Sequence, residues 1–133
     1  MRNKLVVSGI LWVAALLLPG CATTAQDLQK QGLSHLTHGQ LEMLMSRTRT
    51  MRWTTAAGTS GTGTFALDGS AVLAWTGGGA KGTWRINGDS YCTRYPDIRH
   101  GKENCFTLYR THPHQYSLFF PDGSLDATVT YTN

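Results

Sequence analysis

Three dipeptides constrain the fold of this chain most: Asp68-Gly69, Asn87-Gly88 and Asp122-Gly123 each lie between short runs of alternating apolar and polar residues. Such pairs accept the positive φ that a tight hairpin turn needs, so each predicts an antiparallel hairpin closed by a type I′ turn. The paired runs are Thr62–Leu67 with Ser70–Trp75, Gly82–Asn87 with Ser90–Tyr95, and His114–Phe120 with Ser124–Tyr131. Thr48–Thr55, in which Met51 and Trp53 alternate, and Glu103–Arg110 bring the count to about eight strands in sequence order. On the last strand Leu125, Ala127, Val129 and Tyr131 alternate onto one face. Gly58–Gly63 and Gly77–Gly79 read as flexible β-loops, and Pro96–Gly101 as a polar loop. The fold class is therefore mainly β: an antiparallel meander, either a small up-and-down barrel or a strongly curved sheet. Closure is favoured physically because it removes exposed edges. Before the strands, Thr37 can cap one short helix over 37–46, where Leu41, Leu44 and Met45 recur at helical spacing. Two turns of helix are not stable alone in water, so this helix should pack on the sheet.

The N-terminus reads as an export signal. Arg2 and Lys4 form a positive leader, followed by the uncharged run Leu5–Leu18. Fourteen helical residues would cover roughly 21 Å, less than the ~30 Å hydrocarbon core, which suits a cleaved signal rather than a permanent span. The run ends at Leu18-Pro19-Gly20-Cys21, which resembles the lipobox of bacterial lipoproteins. The resemblance implies cleavage before Cys21 and acylation of its sulfur, with residues 1–20 as signal peptide. Two or more acyl chains on Cys21 would make the membrane attachment stable, because one chain alone holds only marginally. Ala22 stands where Asp would mark retention at an inner membrane, so the expected location is the outer membrane, facing the periplasm. Residues 21–34 read as a flexible tether, in which Gly32 interrupts any helix, and residues 35–133 as a single β-rich domain.

Removing residues 1–20 leaves 113 of 133 residues, enough for one domain. Arg2 and Lys4 leave with the signal, so 10 basic residues face 8 acidic ones. The remaining charge of about +2 does not argue for nucleic acid, and no nucleic-acid motif is present. With Cys21 assigned to the anchor, Cys92 and Cys105 remain as a pair, and export to an oxidising compartment makes them a disulfide. If 90–95 and 103–110 form a hairpin, a register in which partner numbers sum to 197 places Cys92 opposite Cys105 and Tyr91 opposite Phe106.

The series Gly82-Thr83-Trp84-Arg85-Ile86-Asn87-Gly88-Asp89, Tyr91-Cys92, Glu103-Asn104-Cys105-Phe106, Tyr116 and Asp122-Gly123 resembles a family of small exported bacterial proteins of unassigned function. The resemblance spans roughly residues 36–125 and includes the short Leu-rich helix Leu36–Leu44. More distantly the chain resembles lipocalin-like inhibitors of bacterial metalloproteases, which are small exported barrels with one disulfide and a Gly-x-Trp strand. Their inhibitory segment is a free N-terminus. Here that end carries Cys21, and no inhibitory residue is carried over.

No catalytic constellation is visible. Serine, histidine and aspartate occur without a nucleophile elbow, and Gly58–Gly63 lacks the Gly-Lys-Ser/Thr of a phosphate loop. His112 and His114 are weak metal candidates that would need a third ligand from His100, Asp97 or Glu103, and Pro113 between them reads more simply as a turn. Arg47, Arg49 and Arg52 form a basic cluster expected on a solvated edge. The aromatic residues, Trp53, Trp75, Trp84, Tyr91 and Phe106 among them, are core, with some able to line a barrel mouth. Three functions follow, in order. The first is a non-enzymatic envelope lipoprotein binding a protein partner or a cell-envelope component. The second is a lipocalin-like small-ligand binder or protease or lysozyme inhibitor, and the third a metal-dependent enzyme. No cofactor is expected.

Overall fold

The computed structural model describes residues 23–133, so the expected signal peptide (1–20) and the expected anchor Cys21 lie outside the described residues. Eight strands form a closed antiparallel barrel in which each strand pairs with its sequence neighbours and the last pairs with the first. They are β1 (Arg49–Thr55), β2 (Ser60–Phe65), β3 (Ser70–Trp75), β4 (Gly78–Asn87), β5 (Ser90–Arg94), β6 (Glu103–His112), β7 (Gln115–Phe119) and β8 (Leu125–Tyr131). The meander is thus a barrel, not an open sheet. The glycine stretches expected to be loops are largely strand: β2 takes in Gly61 and Gly63, and β4 begins at Gly78.

The turns follow different chemistry from the expected I′ type. At Asp68-Gly69 only Gly69 has positive φ (88°). The Gly69 N–H donates to the Ala66 carbonyl at 3.0 Å, and Asp68 Oδ1 accepts from the Ser70 amide at 2.9 Å. This is a longer turn ending in a left-handed glycine, which lets Asp68 keep an ordinary backbone while its carboxylate supplies the local bond. Asp122-Gly123 repeats the pattern. In the β4–β5 hairpin Asn87 pairs with Ser90, so the two turn residues are Gly88 and Asp89 rather than Asn87 and Gly88.

Two helices precede the barrel instead of one. The segment expected as a tether contains α1 (Ala25–Lys30), started by a capping box in which the Thr24 hydroxyl accepts from the Asp27 amide and the Asp27 carboxylate accepts from the Thr24 amide. Gly32 (φ 86°) does not interrupt this helix but closes it: the Gly32 amide donates to Gln29 O and the Leu33 amide to Leu28 O, the Schellman arrangement. Ala25 and Leu28 bury against Tyr109 and Phe119 on the outer face of β6 and β7. The helix α2 (His38–Leu44) begins at the expected cap, Thr37, and its Leu41, with Met45 just beyond, enters the barrel core. The α2 start is held at the β4–β5 turn, where the His38 amide donates to Asp89 Oδ1 at 2.7 Å.

Along β1 the buried positions are Arg49, Met51 and Trp53, so Arg49 faces inward. It does not lie on a solvated edge, since closure leaves no edge there; its guanidinium lies 4.6 Å from the centre of the Tyr131 ring. Cys92 and Cys105 are opposite one another in the register with Tyr91 opposite Phe106, and the disulfide is formed.

Candidate functional site: the open end of the barrel

Connectivity separates the two ends. The β2–β3, β4–β5 and β6–β7 turns share one end with α2, and the β1–β2, β3–β4, β5–β6 and β7–β8 connections share the other. At the second end a cavity of about 270 Å³ enters the barrel. Its floor is Met51, Phe65 and Tyr91, and its walls include Trp53, Leu73, Trp75, Phe106, Leu118 and Val129. The mouth carries the polar groups: Thr55, Thr59, Arg99 and Asp126.

The strands place the aromatic walls by their period of two. Trp53 and Trp75 come from the inward faces of β1 and β3, and their rings meet edge to face at 6.1 Å. Room for the Trp53 ring comes from Gly61, where a Cβ would overlap it and the Ala74 carbonyl. The indole N–H of Trp53 donates to Thr62 O at 2.8 Å, so this ring is fixed by a hydrogen bond as well as by packing. Tyr91, beneath, has a hydroxyl that is fully buried and without a hydrogen-bond partner. Burial pushes its pKa well above the ordinary value, with Tyr131 and Tyr95 adding to the effect, so the phenol stays protonated and remains a donor.

The mouth is built by two departures from regular structure. On β8 the register shifts: Leu118 pairs with Ala127 but Phe119 pairs with Leu125, which leaves Asp126 as the extra residue of a bulge. Leu125 therefore turns outward onto the Tyr109–Phe119 cluster instead of sharing a face with Ala127, Val129 and Tyr131 as alternation predicts. Asp126 turns to the cavity. In the β5–β6 connection Arg99, His100 and Gly101 are successive left-handed residues (φ 54°, 57° and 64°). Two of them are not glycine, and each costs on the order of 1–3 kcal/mol. The Arg94 Nε donates to Gly101 O at 2.9 Å and braces the turn. The product is Arg99 held over the rim: its Nη2 donates to Asp126 Oδ1 at 2.7 Å, and its guanidinium lies 5.8 Å from the centre of the Phe106 ring and 5.9 Å from that of Phe120.

No protein-family model, curated protein or solved structure matches the chain.

The other sequence candidates fall away from this cavity. His112 and His114 are exposed at the opposite end, where Pro113-His114 forms the β6–β7 turn with His114 at φ 72°. They meet no third ligand: among the described residues the group of three close ligand atoms is Cys92, Glu103 and Cys105, whose two sulfurs are bonded to each other. The disulfide lies outside the barrel wall, beside the Arg85–Glu103 ion pair (2.6 Å), and acts as a staple on the hairpin that carries Arg99. Arg99 and Asp126 are the residues that sequence reading missed. Arg99 lay in a segment read by composition as a polar loop, and Asp126 in a strand read by its alternation. The signal that pointed nearest was the expectation that aromatic residues could line a barrel mouth.

Proposed function

We propose that this chain is a lipid-anchored, non-enzymatic envelope protein whose barrel binds a small, largely apolar ligand with one polar end. The observation that carries the reading is the apolar cavity open at one end, with its charged groups, Arg99 and Asp126, gathered at the mouth. Pockets of this kind bind by burying apolar surface and orient by a few placed polar groups. At about 270 Å³ the cavity is small, and so is the ligand it can hold. Acylated Cys21 and an outer-membrane position facing the periplasm complete the proposal and rest on the lipobox resemblance.

The test is a titration of the mature chain carrying Cys21→Ser with small apolar compounds, followed by NMR. The Trp53 and Trp75 indole N–H signals and the Arg99 side chain should shift together and saturate. Ala127→Leu, which adds bulk to the cavity wall, should abolish the shift. Absence of saturable shifts across alcohols, acylglycerols and aromatic compounds sinks the reading.

A second reading, docking of a protein partner, is favoured by the other end. There Met43 on α2 is 78% exposed and Leu67, in the β2–β3 turn, 62% exposed. Met43→Ser with Leu67→Ser should then abolish crosslinking to that partner in intact envelopes, while the double variant still binds the small ligand.

A further inference from the structure

The cavity mouth and the start of the described chain lie at the same end of the barrel. The Ala25 amide donates to Gly123 O at 2.9 Å, and Gly123 belongs to the β7–β8 connection on the open end. In that same connection the Phe120 amide donates to Ser124 O, and the Phe120 ring meets both Phe106 at 5.2 Å and the Arg99 guanidinium. A short series of contacts thus leads from the first turn of α1 to the mouth pair. The dock is firm, since Leu28 is buried and Gln29 Nε2 donates to the Tyr109 hydroxyl at 2.9 Å. Cys21 precedes Ala25 by four residues, which at full extension span at most ~14 Å. A lipid on Cys21 therefore holds the membrane close to the open end.

We propose that the open end of the barrel is a lipid-facing surface, and that the cavity takes a single-chain amphiphile with an uncharged, hydrogen-bonding head directly from the bilayer. This rests on the reading of the cavity as a ligand site and of Cys21 as the lipid anchor. The chemistry of the occupant follows from the mouth. Arg99 and Asp126 already neutralise each other at 2.7 Å, so an ionised head gains no unpaired partner there. A hydroxyl-bearing head, such as the glycerol of a monoacylglycerol, can accept from the guanidinium and donate to the carboxylate at once. One short acyl chain suits a cavity of about 270 Å³, whose floor and walls are largely apolar, their polar groups being Thr93 and the Tyr91 and Tyr95 hydroxyls. The rim adds apolar or small exposed groups, Ala56, Ala57 and Pro121, in its loops.

The experiment uses the full, acylated protein in vesicles of phosphatidylethanolamine and phosphatidylglycerol that contain a headgroup spin-labelled lipid. A bimane fluorophore is placed at Ala57→Cys on the open end or at Met43→Cys on the α2 end. Quenching at Ala57→Cys should exceed that at Met43→Cys by at least threefold. Equal quenching, or stronger quenching at Met43→Cys, overturns the membrane-facing assignment, as does a Cys21 found by mass spectrometry to carry no lipid. In the second arm, monodecanoylglycerol with a brominated tail is added to the same vesicles, and quenching of Trp53 and Trp75 is followed. Half-saturation should come at a bulk concentration at least tenfold lower for the anchored protein than for soluble Cys21→Ser. Brominated decanoate should bind at least tenfold more weakly than the glycerol ester. Equal half-saturation with and without the anchor overturns loading from the bilayer, and preference for decanoate overturns the head assignment. Saturable quenching in soluble Cys21→Ser without the orientation result leaves the ligand reading standing and removes this inference. Orientation without any quenching removes the ligand reading, and with it the amphiphile.

Discussion

At one end of the barrel, the end that α2 covers, Arg49 faces inward over the Tyr131 ring and pairs with no carboxylate among the described residues. At the other end Arg99 reaches over the rim to Asp126 and is held there by a left-handed turn and by a β-bulge. The first arginine is placed by strand alternation alone. The second is placed by two irregularities, one in the β5–β6 connection and one on β8, that meet at the mouth. Where regular structure would have sealed the barrel, the chain accepts backbone strain and a broken ladder to set a charged pair beside a cavity. Strain of that kind persists only when the surroundings hold it, and it concentrates at functional sites. The α2 end shows what the fold does when the task is closure: Leu41 fills it and is fully buried.

The contrast can be broken at several points. Leu41→Ala should have the largest effect, a loss of about 3–4 kcal/mol in urea unfolding, because it removes a buried plug side chain and leaves a void behind. If α2 merely lay on the surface the loss would stay below ~1 kcal/mol. Next comes joint replacement of Cys92 and Cys105 by serine. The bridge spans a sequence separation of 13, and its removal should cost roughly 3 kcal/mol. It should also loosen the Arg99 turn, seen as faster amide exchange at Ile98–Lys102. Arg99→Ala is smaller, about 1 kcal/mol after allowance for exposure, since Asp126 is 11% and Arg99 34% exposed. Its sharper effect is on the ligand, whose affinity should fall about tenfold while the α2 end keeps its exchange rates.

The smallest expected effect belongs to the α2 end and depends on pH. The Gly88 carbonyl at 2.6 Å, with Glu42 at 2.8 Å, raises the His38 pKa above the ordinary 6.5. A raised folded-state pKa means that the added stability is fully present below pH 6.5 and is lost as pH rises through the folded value. Amides of α2 should therefore exchange more slowly in mildly acidic than in mildly alkaline buffer, after correction for intrinsic rates. His38→Gln should remove the difference, and exchange at the open end should not follow it.

Much of this fold was legible in the residues. Turn dipeptides and alternation yielded the hairpins, and the rule that partner numbers sum to 197 placed Cys92 against Cys105 and Tyr91 against Phe106. The inward Arg49 was legible too, since it shares parity with Met51 and Trp53, but composition led it to be read as a solvated edge. In the supposed tether, Thr24-x-x-Asp27 is a capping-box pattern and Gly32 a helix stop, so local signals for α1 were present. What made the helix stable, burial of Leu28 on Tyr109 and Phe119, is a tertiary contact that no local signal carries. The mouth was the least legible part. A bulge at Asp126 breaks the period on which strand reading depends, and the conformation of Arg99 and His100 is not one their side chains prefer.

The proposed function requires the open end to be room kept for an apolar guest. Crystals of the mature protein under xenon pressure test this most directly, because apolar cavities accept xenon and polar, hydrated ones do not. Xenon should appear between Trp53, Trp75 and Phe106, with none behind Leu41 at the α2 end. A mouth filled by a hydrogen-bonded chain of ordered waters reaching Tyr91, with no xenon bound, would contradict it.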